Sequence, residues 1–392
     1  MEELLYQYNP WWEDEYKAQE LKVRTNYFNK LVQSLENKSI VFLTGLRRVG
    51  KTSLMKLLIS HLIQHKVEPK YILYISLDDY ILKDNSLEEI LTEYRKAHKI
   101  SLDKKIYAFF DEITYKDDYH QQLKNAYDKQ KIKIFATSSS SSLLKDKKAY
   151  LTGRSITYEI KPLDFMEYLS FKKVVIKKSE EYLLDTYFKD FIREGGMPEN
   201  VLNPSREYLV NLVDDIIQKD ITAFNGLRNH QIVRDFYLLL MERSGKQLSI
   251  NKIGKILNIS VDTARRYLGY FEDTYLIHLL SRYGKTNERL LSAKKIYACD
   301  LGIKYLFIGE RDLGSYFENY IYLKLRNNKE VFYLYEKNYE IDFITKDGIL
   351  IESKYNADLN DKQKLLFDSY NAKEKYVINS VKKLQELEKW DV

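Results

Sequence analysis

The stretch Gly45-Leu46-Arg47-Arg48-Val49-Gly50-Lys51-Thr52 fits the phosphate-binding pattern G-x-x-x-x-G-K-[ST] in full. An apolar run at 40–44 precedes it, and an amphipathic helical stretch follows at 53–59. Glycines let such a loop turn its backbone N–H groups toward phosphate, and the helix dipole adds partial positive charge. We expect Lys51 to neutralise the β- and γ-phosphates and the Thr52 hydroxyl to ligate magnesium. The predicted nucleotide contacts are Gly45, Arg47, Arg48, Val49, Gly50, Lys51, Thr52 and Ser53.

Two adjacent carboxylates, Asp111 and Glu112, end a later apolar run. We expect Asp111 to hold the magnesium ion through a water and Glu112 to polarise the attacking water as the catalytic base. An acidic loop start is the alternative, but a phosphate-binding loop creates a need for such a pair. The sequence contains no guanine-reading Asn-Lys-x-Asp, so elimination favours adenine and predicts ATP as the nucleotide.

Three other side chains are candidates for contacts with the nucleotide. The apolar run at 132–137 ends in the polar stretch Thr137-Ser138-Ser139, where Ser138 or Ser139 could sense the γ-phosphate, and Ser138 is counted among the predicted contacts. Serine at a strand end is also a common helix N-cap, which is the alternative. Arg154 is either a catalytic arginine finger acting on a neighbouring subunit or an ordinary surface arginine.

Apolar runs alternate with amphipathic helical stretches between residues 39 and 160. Such runs are typical of strands buried on both faces of a parallel sheet, so the pattern predicts an α/β fold. The predicted strands are 40–44, 71–77, 106–110, 132–137 and 156–160. The predicted domains are an N-terminal helical segment (1–37) whose Trp11 and Trp12 cap the nucleotide site, a P-loop ATPase core (38–161), a helical lid (162–225), a winged helix-turn-helix (226–300) and a C-terminal domain (301–392).

These motifs resemble those of archaeal and bacterial AAA-type ATPases. The resemblance rests on the phosphate-binding loop, on Phe-Phe-Asp-Glu ending at Glu112, on Gly153-Arg154 and on Pro-Leu-Asp-Phe-Met-Glu-Tyr at 162–168. Gly-Gly-Met-Pro-Glu at 195–199 and Gly-x-x-Phe-Glu-Asn at 314–319 extend it over nearly the whole chain. It implies an AAA-type core, a winged helix and a C-terminal α/β restriction-endonuclease-like domain of unknown function. The sequence departs from many members at the sensor strand, where serine stands in place of asparagine.

A helix-turn-helix is predicted from a short helical pattern at 253–257, a turn at 258–260 and a longer helix at 261–274. Its expected core consists of Ile253, Ile256, Leu257, Ile259, Ala264, Tyr267, Leu268 and Phe271. The exposed face of the second helix then carries Thr263, Arg265 and Arg266, side-chain types that contact DNA bases and phosphates. Residues 276–281 and 294–298 are expected to form the wing. Packing against the ATPase core or a protein partner is the alternative to DNA.

Acidic residues recur near the C-terminus, where Asp342 is followed ten positions later by Glu352-Ser353-Lys354. A three-residue hairpin loop at 346–348 would set Asp342 opposite Glu352, and opposed residues share a face. Two carboxylates with a nearby lysine bind Mg²⁺ or Mn²⁺ and activate a water for phosphodiester attack. The pattern resembles the D…E-x-K motif of restriction-endonuclease-like enzymes, with Glu318 as a further acid. A solvated hairpin face and a nuclease fold without activity are the alternatives.

The composition suits a globular protein of several domains, since 44% of the 392 residues are hydrophobic and 31% are charged. A single cysteine, Cys299, excludes an internal disulfide and fits a reducing cytoplasm. No apolar run is long enough to cross a bilayer, and the acidic start predicts no signal peptide. A formal charge of +6 permits a nucleic-acid partner.

We therefore expect a cytoplasmic AAA-type ATPase that binds and hydrolyses ATP with Mg²⁺ and acts on DNA. A metal-dependent endonuclease activity of the C-terminal domain would need its own Mg²⁺ or Mn²⁺. A homo-oligomer is expected by analogy, because AAA-type sites commonly form between subunits. The alternative function is a signalling switch, in which ATP sets the conformation and the C-terminal domains bind protein.

Overall fold

The computed structural model describes residues 1–14, 21–140, 151–336 and 338–388. The chain divides into two compact units, Met1–Lys161 and Pro162–Val392. The division falls at residue 161, where the P-loop ATPase core was predicted to end. The boundaries predicted at 225 and 300 do not separate further compact units.

A parallel sheet of five strands forms the centre of the first unit, in the order β2-β3-β4-β1-β5. Its strands are β1 (Ile40–Thr44), β2 (Ile72–Ser76), β3 (Ile106–Asp111), β4 (Ile132–Ser138) and β5 (Ser155–Glu159). Every residue of β1 and β4 is buried, as expected for strands in the middle of a covered parallel sheet. The predicted strands are confirmed to within one residue at each end.

Helices flank this sheet and connect its strands. They are α1 (Glu2–Tyr8), α2 (Thr25–Gln33), α3 (Lys51–Gln64), α4 (Leu87–Ala97) and α5 (Tyr119–Lys129). Because the strands are parallel, the loops after β1, β3 and β4 all leave from the same edge of the sheet, which we call the carboxyl edge. The phosphate-binding loop, the acidic pair and the serines at 138–139 follow these three strands, so the fold brings the predicted nucleotide contacts to one edge.

The N-terminal segment pairs with β2, the outermost strand on its side of the sheet. The indole N–H groups of Trp11 and Trp12 donate to the carbonyl of Ile72, at 3.2 and 2.9 Å. Ile72 is the first residue of β2, so both tryptophans lie near the opposite, amino edge of the sheet. The prediction that they cap the nucleotide site is therefore wrong. An edge strand has free backbone groups that need partners, and this segment supplies them.

The second unit contains a hairpin and a four-stranded sheet. The hairpin pairs β6 (Ile277–Leu280) with β7 (Lys295–Ala298). The sheet has the order β11-β10-β9-β8, formed by β8 (Val331–Glu336), β9 (Tyr339–Thr345), β10 (Ile349–Ser353) and β11 (Glu374–Ile378). Neighbours are antiparallel except β10 and β11, which are parallel.

Helices make up most of the rest of this unit. They are α6 (Phe165–Phe171), α7 (Leu184–Glu194), α8 (Pro198–Leu202), α9 (Arg206–Asp215), α10 (His230–Glu242), α11 (Ile250–Leu257), α12 (Val261–Asp273), α13 (Thr286–Leu291), α14 (Leu301–Ile308), α15 (Leu313–Leu325), α16 (Asp361–Ser369) and α17 (Gln385–Glu388). A π-helical segment, Ile216–Ala223, continues α9. None of the described helices is long and apolar enough to cross a bilayer.

One hydrophobic core joins the helices predicted as a lid to the C-terminal sheet. Phe165 of α6 and Phe188 of α7 belong to the same buried cluster as Tyr320 of α15 and Phe343 of β9. The ring centroids of Phe188 and Tyr320 are 5.5 Å apart. A separate lid domain at 162–225 was therefore a wrong prediction, because these helices are part of the second unit. The spacing of apolar residues shows that a helix has a buried face, but not which sheet that face meets.

The two helices predicted for a helix-turn-helix correspond to α11 and α12, with Asn258 at φ +52° in the turn between them. The hairpin of β6 and β7 matches the two strands predicted for a wing. Ala264 and Phe271 are buried, as predicted for the small core. Ile256 was predicted to join them but is 56% exposed, so that assignment is wrong.

Candidate functional site

The phosphate-binding loop links β1 to α3 through backbone conformations in the left-handed region. The φ angles are +128° at Gly45, +62° at Arg48 and +99° at Gly50. A Cβ at Gly45 would lie only 2.1 Å from the carbonyl oxygen of Ile160, so no other residue fits there. Gly45 is thus required by its φ angle and by the approach of Ile160, and Gly50 by its φ angle.

Lys51 is the first residue of α3, and its ammonium lies inside the curve of the loop. It donates to the carbonyls of Gly45 and Leu46, at 2.9 Å each, and is 5% exposed. Its charge is therefore already held where an incoming phosphate would meet the loop. The other predicted contacts have different exposures: Val49 is buried, Arg47, Gly50, Thr52 and Ser53 are half-buried, and Arg48 is exposed.

Three hydroxyl groups hold the buried carboxylate of Asp111 at the end of β3. Its Oδ2 accepts hydrogen bonds from Thr52 at 2.6 Å and Tyr74 at 2.9 Å, and its Oδ1 accepts one from Thr137. Because Thr52 uses its proton on Asp111, its oxygen keeps lone pairs for a cation. A hydroxyl and a carboxylate beside a phosphate-binding loop are the hard oxygen ligands that suit Mg²⁺. Both predicted magnesium ligands are therefore adjacent and fit the ion.

Glu112 follows Asp111 in a left-handed conformation, with φ +50°. Its backbone N–H donates to the Thr137 hydroxyl at 2.8 Å, and its carboxylate accepts from Ser139 at 3.2 Å. Burial raises the pKa of Glu112; the charge of Lys51 opposes this shift and that of Asp111 adds to it. A buried carboxylate with a raised pKa, next to the phosphate loop, suits a general base.

The predicted sensor, Ser138, points elsewhere. Its hydroxyl donates to the carbonyl of Ser140 at 3.0 Å and accepts from the N–H of Ser140 at 3.1 Å. Ser139, the alternative that the sequence left open, contacts Glu112 instead. Thr137, which stands beside the two serines at the end of the same run, contacts both acids instead. Sequence reasoning missed Tyr74, because no local pattern shows that a tyrosine in an apolar strand contacts a carboxylate.

Arg154 lies at the amino edge of the sheet, away from the loop. It directly precedes β5, its carbonyl accepts from Ile40 N–H at 2.8 Å, and its side chain is 3.2 Å from Asp128. Strands of five residues at about 3.3 Å each separate it from the carboxyl edge. Arg154 therefore does not reach the nucleotide site of its own chain, and a role toward a neighbouring subunit stays a prediction.

The predicted DNA-contacting residues lie together on the exposed face of α12. Arg265 is 3.3 Å from Asp262, and their side chains are 67% and 88% exposed. Arg266 donates to the hydroxyl of Thr263 at 3.4 Å. Ion pairs this exposed contribute little free energy, so both arginines can exchange these partners for phosphate.

The C-terminal hairpin has the predicted loop and register. β9 ends at Thr345 and β10 begins at Ile349, with Gly348 at φ +89° between them. Leu350 of β10 pairs with Ile344 of β9, and Ile351 pairs with Phe343. This register sets Asp342 opposite Glu352, as predicted.

This pairing brings Asp342, Glu352 and Lys354 together, and we call these three residues the C-terminal patch. The Asp342 N–H donates to Glu352 Oε2 at 3.0 Å, and Lys354 Nζ is 2.9 Å from Glu352 Oε1. Asp342 Oδ2 accepts from the N–H and the hydroxyl of Ser353, at 3.0 and 2.8 Å. Burial and the charge of Asp342 raise the pKa of Glu352 to about 8, against the opposing effect of Lys354.

A buried lysine that the sequence assigned only to the wing, Lys295, links this patch to Glu318. Its ammonium is 2.7 Å from Glu318, 2.8 Å from Glu340 and 3.6 Å from Asp342, and its side chain is 1% exposed. Tyr297 adds a hydrogen bond to Glu318 at 2.7 Å. Burial alone would lower the pKa of Lys295, but Glu318 and the other acids outweigh it and raise the pKa well above its usual value.

The cation among these carboxylates is thus an ammonium of the chain itself. Among the described residues, no group of three or more His, Cys, Asp or Glu side chains is arranged to hold a metal ion. Glu318 does lie beside Asp342, as predicted, but Lys295 stands between them. The predicted second metal site therefore lacks the open set of acids it needs.

Two family models match parts of the chain, and one of them covers the nucleotide site. The AAA domain family matches residues 37–169, and a domain of unknown function (DUF8612) matches residues 185–313. Among solved structures, the Walker-type ATPase PABY2304 of Pyrococcus abyssi aligns with a TM-score of 0.48 at 15% identity, covering 76% of this chain and 99% of that chain.

Relatives match over most of the chain. The uncharacterized protein MJ1544 of Methanocaldococcus jannaschii is 31% identical over 354 residues, which cover 85% of this chain and 78% of that protein. MJ1637 of the same organism is 28% identical, with 81% and 74% covered. An uncharacterized protein of Haemophilus influenzae is 26% identical, with 82% and 83% covered. The chain therefore belongs to the same family as MJ1544, and its AAA domain makes it an AAA-type P-loop ATPase.

Proposed function

We propose that this protein hydrolyses ATP with Mg²⁺ at the phosphate-binding loop and binds duplex DNA through its helix-turn-helix. The observation that carries the ATPase proposal is the meeting of Lys51, Thr52, Asp111 and Glu112 at one edge of the sheet. Thr52 and Asp111 are 2.6 Å apart, and the charges of Lys51 and Asp111 both act on Glu112. A phosphate-binding loop, ligands for the magnesium ion and a general base are the groups that transfer of a phosphoryl group to water requires.

Each residue has a separate role in this reaction. The loop N–H groups and Lys51 bind and orient the β- and γ-phosphates. Thr52 and Asp111 would hold magnesium, which neutralises phosphate charge when bound. Glu112 accepts a proton from the attacking water, and its hydrogen bond with Ser139 fixes the carboxylate that does so.

Two substitutions test the ATPase proposal. Lys51→Ala is expected to abolish nucleotide binding, because it removes the cation that the loop holds for phosphate. Glu112→Gln is expected to keep binding but to lower turnover on the order of a hundredfold, since only proton transfer is lost. Glu88→Gln, an exposed residue of α4, is the matched control and is expected to behave as wild type. Wild-type turnover by Glu112→Gln would show that Glu112 is not the base.

The DNA proposal is supported by the exposed positions of Arg265 and Arg266 on α12, with the half-buried Thr263 beside them, and by the adjoining hairpin, an arrangement similar to a winged helix. Changing both arginines to alanine is expected to weaken duplex binding and to reduce its salt slope by about one unit for each lost phosphate contact. Arg311→Ala, an exposed arginine outside the helix-turn-helix, is the control. An unchanged salt slope would contradict DNA contact by this helix.

A protein-binding switch is the second candidate, and exposed apolar side chains favour it. Ile256 of α11 is 56% exposed, and Leu290 and Leu291 of α13 are 75% and 88% exposed. Such side chains suit a protein partner better than a phosphate backbone. Binding to plain duplex DNA that weakens with salt would decide for DNA, whereas no such binding would decide for the switch.

Two hypotheses remain for the C-terminal patch. The shared face of Asp342, Glu352 and Lys354 supports a nuclease-like domain, whereas the ammonium of Lys295 beside them supports a nuclease fold that does not cleave DNA. Nicking of supercoiled DNA in Mg²⁺ or Mn²⁺ separates the two. An active site would make nicking depend on Asp342 and disappear in Asp342→Ala, with ATP hydrolysis unchanged. Absence of nicking by the wild-type protein would establish the inactive fold.

The proposal also includes a homo-oligomer in which Arg154 serves a neighbouring subunit. Its support is the position of Arg154 at the edge opposite its own loop, where it pairs with Asp128 at 3.2 Å and remains partly exposed. Arg154→Ala is then expected to lower ATP turnover in the oligomer while nucleotide binding is kept. Mass measurement of the ATP-bound protein provides the oligomeric state, and a monomer would rule out this role.

A further inference from the structure

Tyr74 lies outside every recognised motif, yet its hydroxyl contacts the magnesium carboxylate. It donates to Asp111 Oδ2 at 2.9 Å, and the residue is 7% exposed. A tyrosine hydroxyl carries one proton, and a carboxylate oxygen can only accept, so this contact is a hydrogen bond from Tyr74 to Asp111. The other two donors to Asp111 are Thr52 of α3 and Thr137 of β4. Tyr74 is therefore the residue through which β2 fixes the Asp111 carboxylate.

The backbone of Tyr74 is in turn held by one side chain, that of Asn9. Asn9 Oδ1 accepts from the Tyr74 N–H at 2.6 Å, and Asn9 Nδ2 donates to the Tyr74 carbonyl at 2.8 Å. The side chain thus replaces the neighbouring strand that β2 lacks at the edge of the sheet. Asn9 Nδ2 also donates to the carbonyl of Leu5 in α1 at 2.7 Å, and Asn9 is fully buried.

A second contact ties the same segment to the loop that follows β2. The Tyr8 hydroxyl donates to Asp79 Oδ2 at 2.9 Å, and the rings of Tyr8 and Tyr74 are 6.2 Å apart. α1 and the residues up to Trp12 therefore hold β2 at its amino end, its middle and just beyond its carboxyl end.

We propose that Tyr74 is a positioning residue for Asp111 and that the N-terminal segment, through Asn9, sets the position of Tyr74. A carboxylate rotates about its Cβ–Cγ bond unless its oxygens are fixed, and a fixed carboxylate loses less entropy when it binds a metal-bound water. The N-terminal segment then acts on the magnesium site without contacting nucleotide. This inference rests on the proposed role of Thr52 and Asp111 in holding magnesium.

The test is calorimetric binding of a non-hydrolysable ATP analogue to the full-length protein, with Mg²⁺ and with EDTA. In the wild type, Mg²⁺ is expected to strengthen binding. Tyr74→Phe is expected to reduce that gain about tenfold while leaving affinity in EDTA unchanged, because one hydrogen bond to a charged acceptor is lost. Asn9→Ala is expected to reduce it by a smaller factor, and Asn9→Ser, which keeps a small uncharged polar side chain, replaces this variant if it does not fold.

Tyr94→Phe is the matched control. It removes another hydroxyl from a buried tyrosine of the same unit, one that donates to the Lys70 carbonyl at 2.5 Å and not to Asp111. It is expected to keep the full magnesium gain. A Tyr74→Phe protein with the wild-type gain, or a Tyr94→Phe protein with an equal loss, would overturn the inference. A wild type that shows the magnesium gain but no ATP turnover would overturn the proposed hydrolysis and leave this inference standing.

Discussion

Replacement of Lys295 by methionine tests whether the buried ammonium holds the C-terminal patch together. Methionine keeps much of the length and apolar stem of lysine, so the variant removes charge with little change of volume. Lys295 contacts Glu318 at 2.7 Å and Glu340 at 2.8 Å, and its side chain is 1% exposed. Breaking a buried ion pair by removing one partner costs about 3–5 kcal/mol of folding free energy, because the other charge stays buried and unpaired.

The cost is expected to depend on pH. Burial raises the pKa of Glu318, and Asp342 adds to the shift while Lys295 opposes it. Without Lys295 the pKa of Glu318 rises further, so the folded variant binds a proton more readily than its unfolded chain. The destabilisation should therefore be smaller at low pH, where Glu318 is neutral, and larger as pH rises through its raised pKa.

Urea unfolding at several pH values measures this free energy. Lys346→Met is the matched control, because Lys346 pairs with Glu330 at 2.7 Å but the two side chains are 74% and 51% exposed. Its expected cost is less than about 1 kcal/mol. In a Lys295→Met background, Glu318→Gln is expected to restore part of the lost stability. A cost for Lys295→Met as small as that of the control, or one independent of pH, would refute the reasoning.

Three further predictions concern pH and packing. Since burial raises the pKa of Glu112, ATP turnover should fall on acidification at a pH above the ordinary glutamate value of 4.5, which a pH–rate profile measures. Burial raises the pKa of Glu352 in the folded protein to about 8, from an ordinary value of 4.5. The protonated carboxyl therefore favours folding, fully so below its unfolded pKa, and this stability is lost as pH rises toward 8. Glu352→Gln should flatten that decline in thermal unfolding, and an unchanged slope would contradict the assignment. Gly196→Ala should destabilise the protein by about 1–3 kcal/mol in urea unfolding, because its Cβ would lie 2.1 Å from the Leu163 carbonyl; wild-type stability would contradict this.

The sequence by itself determined the nucleotide site and the register of the C-terminal hairpin. Gly45, Gly50, Lys51 and Thr52 are neighbours along the chain, so their spacing alone identifies the phosphate-binding loop. Asp111 and Glu112 could be assigned because parallel strands bring their carboxyl ends to one edge. The hairpin register followed from loop length alone.

Only the tertiary structure decided which distant side chains complete these sites. Asn9 and Tyr74 are 65 positions apart, and Lys295 and Glu340 are 45 positions apart, so no local pattern relates them. A tyrosine or a lysine within an apolar strand looks the same in sequence whether it meets a carboxylate or solvent. The partner of a buried polar group depends on how helices and sheets pack together, and for the same reason the helices at 162–202 could not be assigned to the C-terminal sheet before that packing was known.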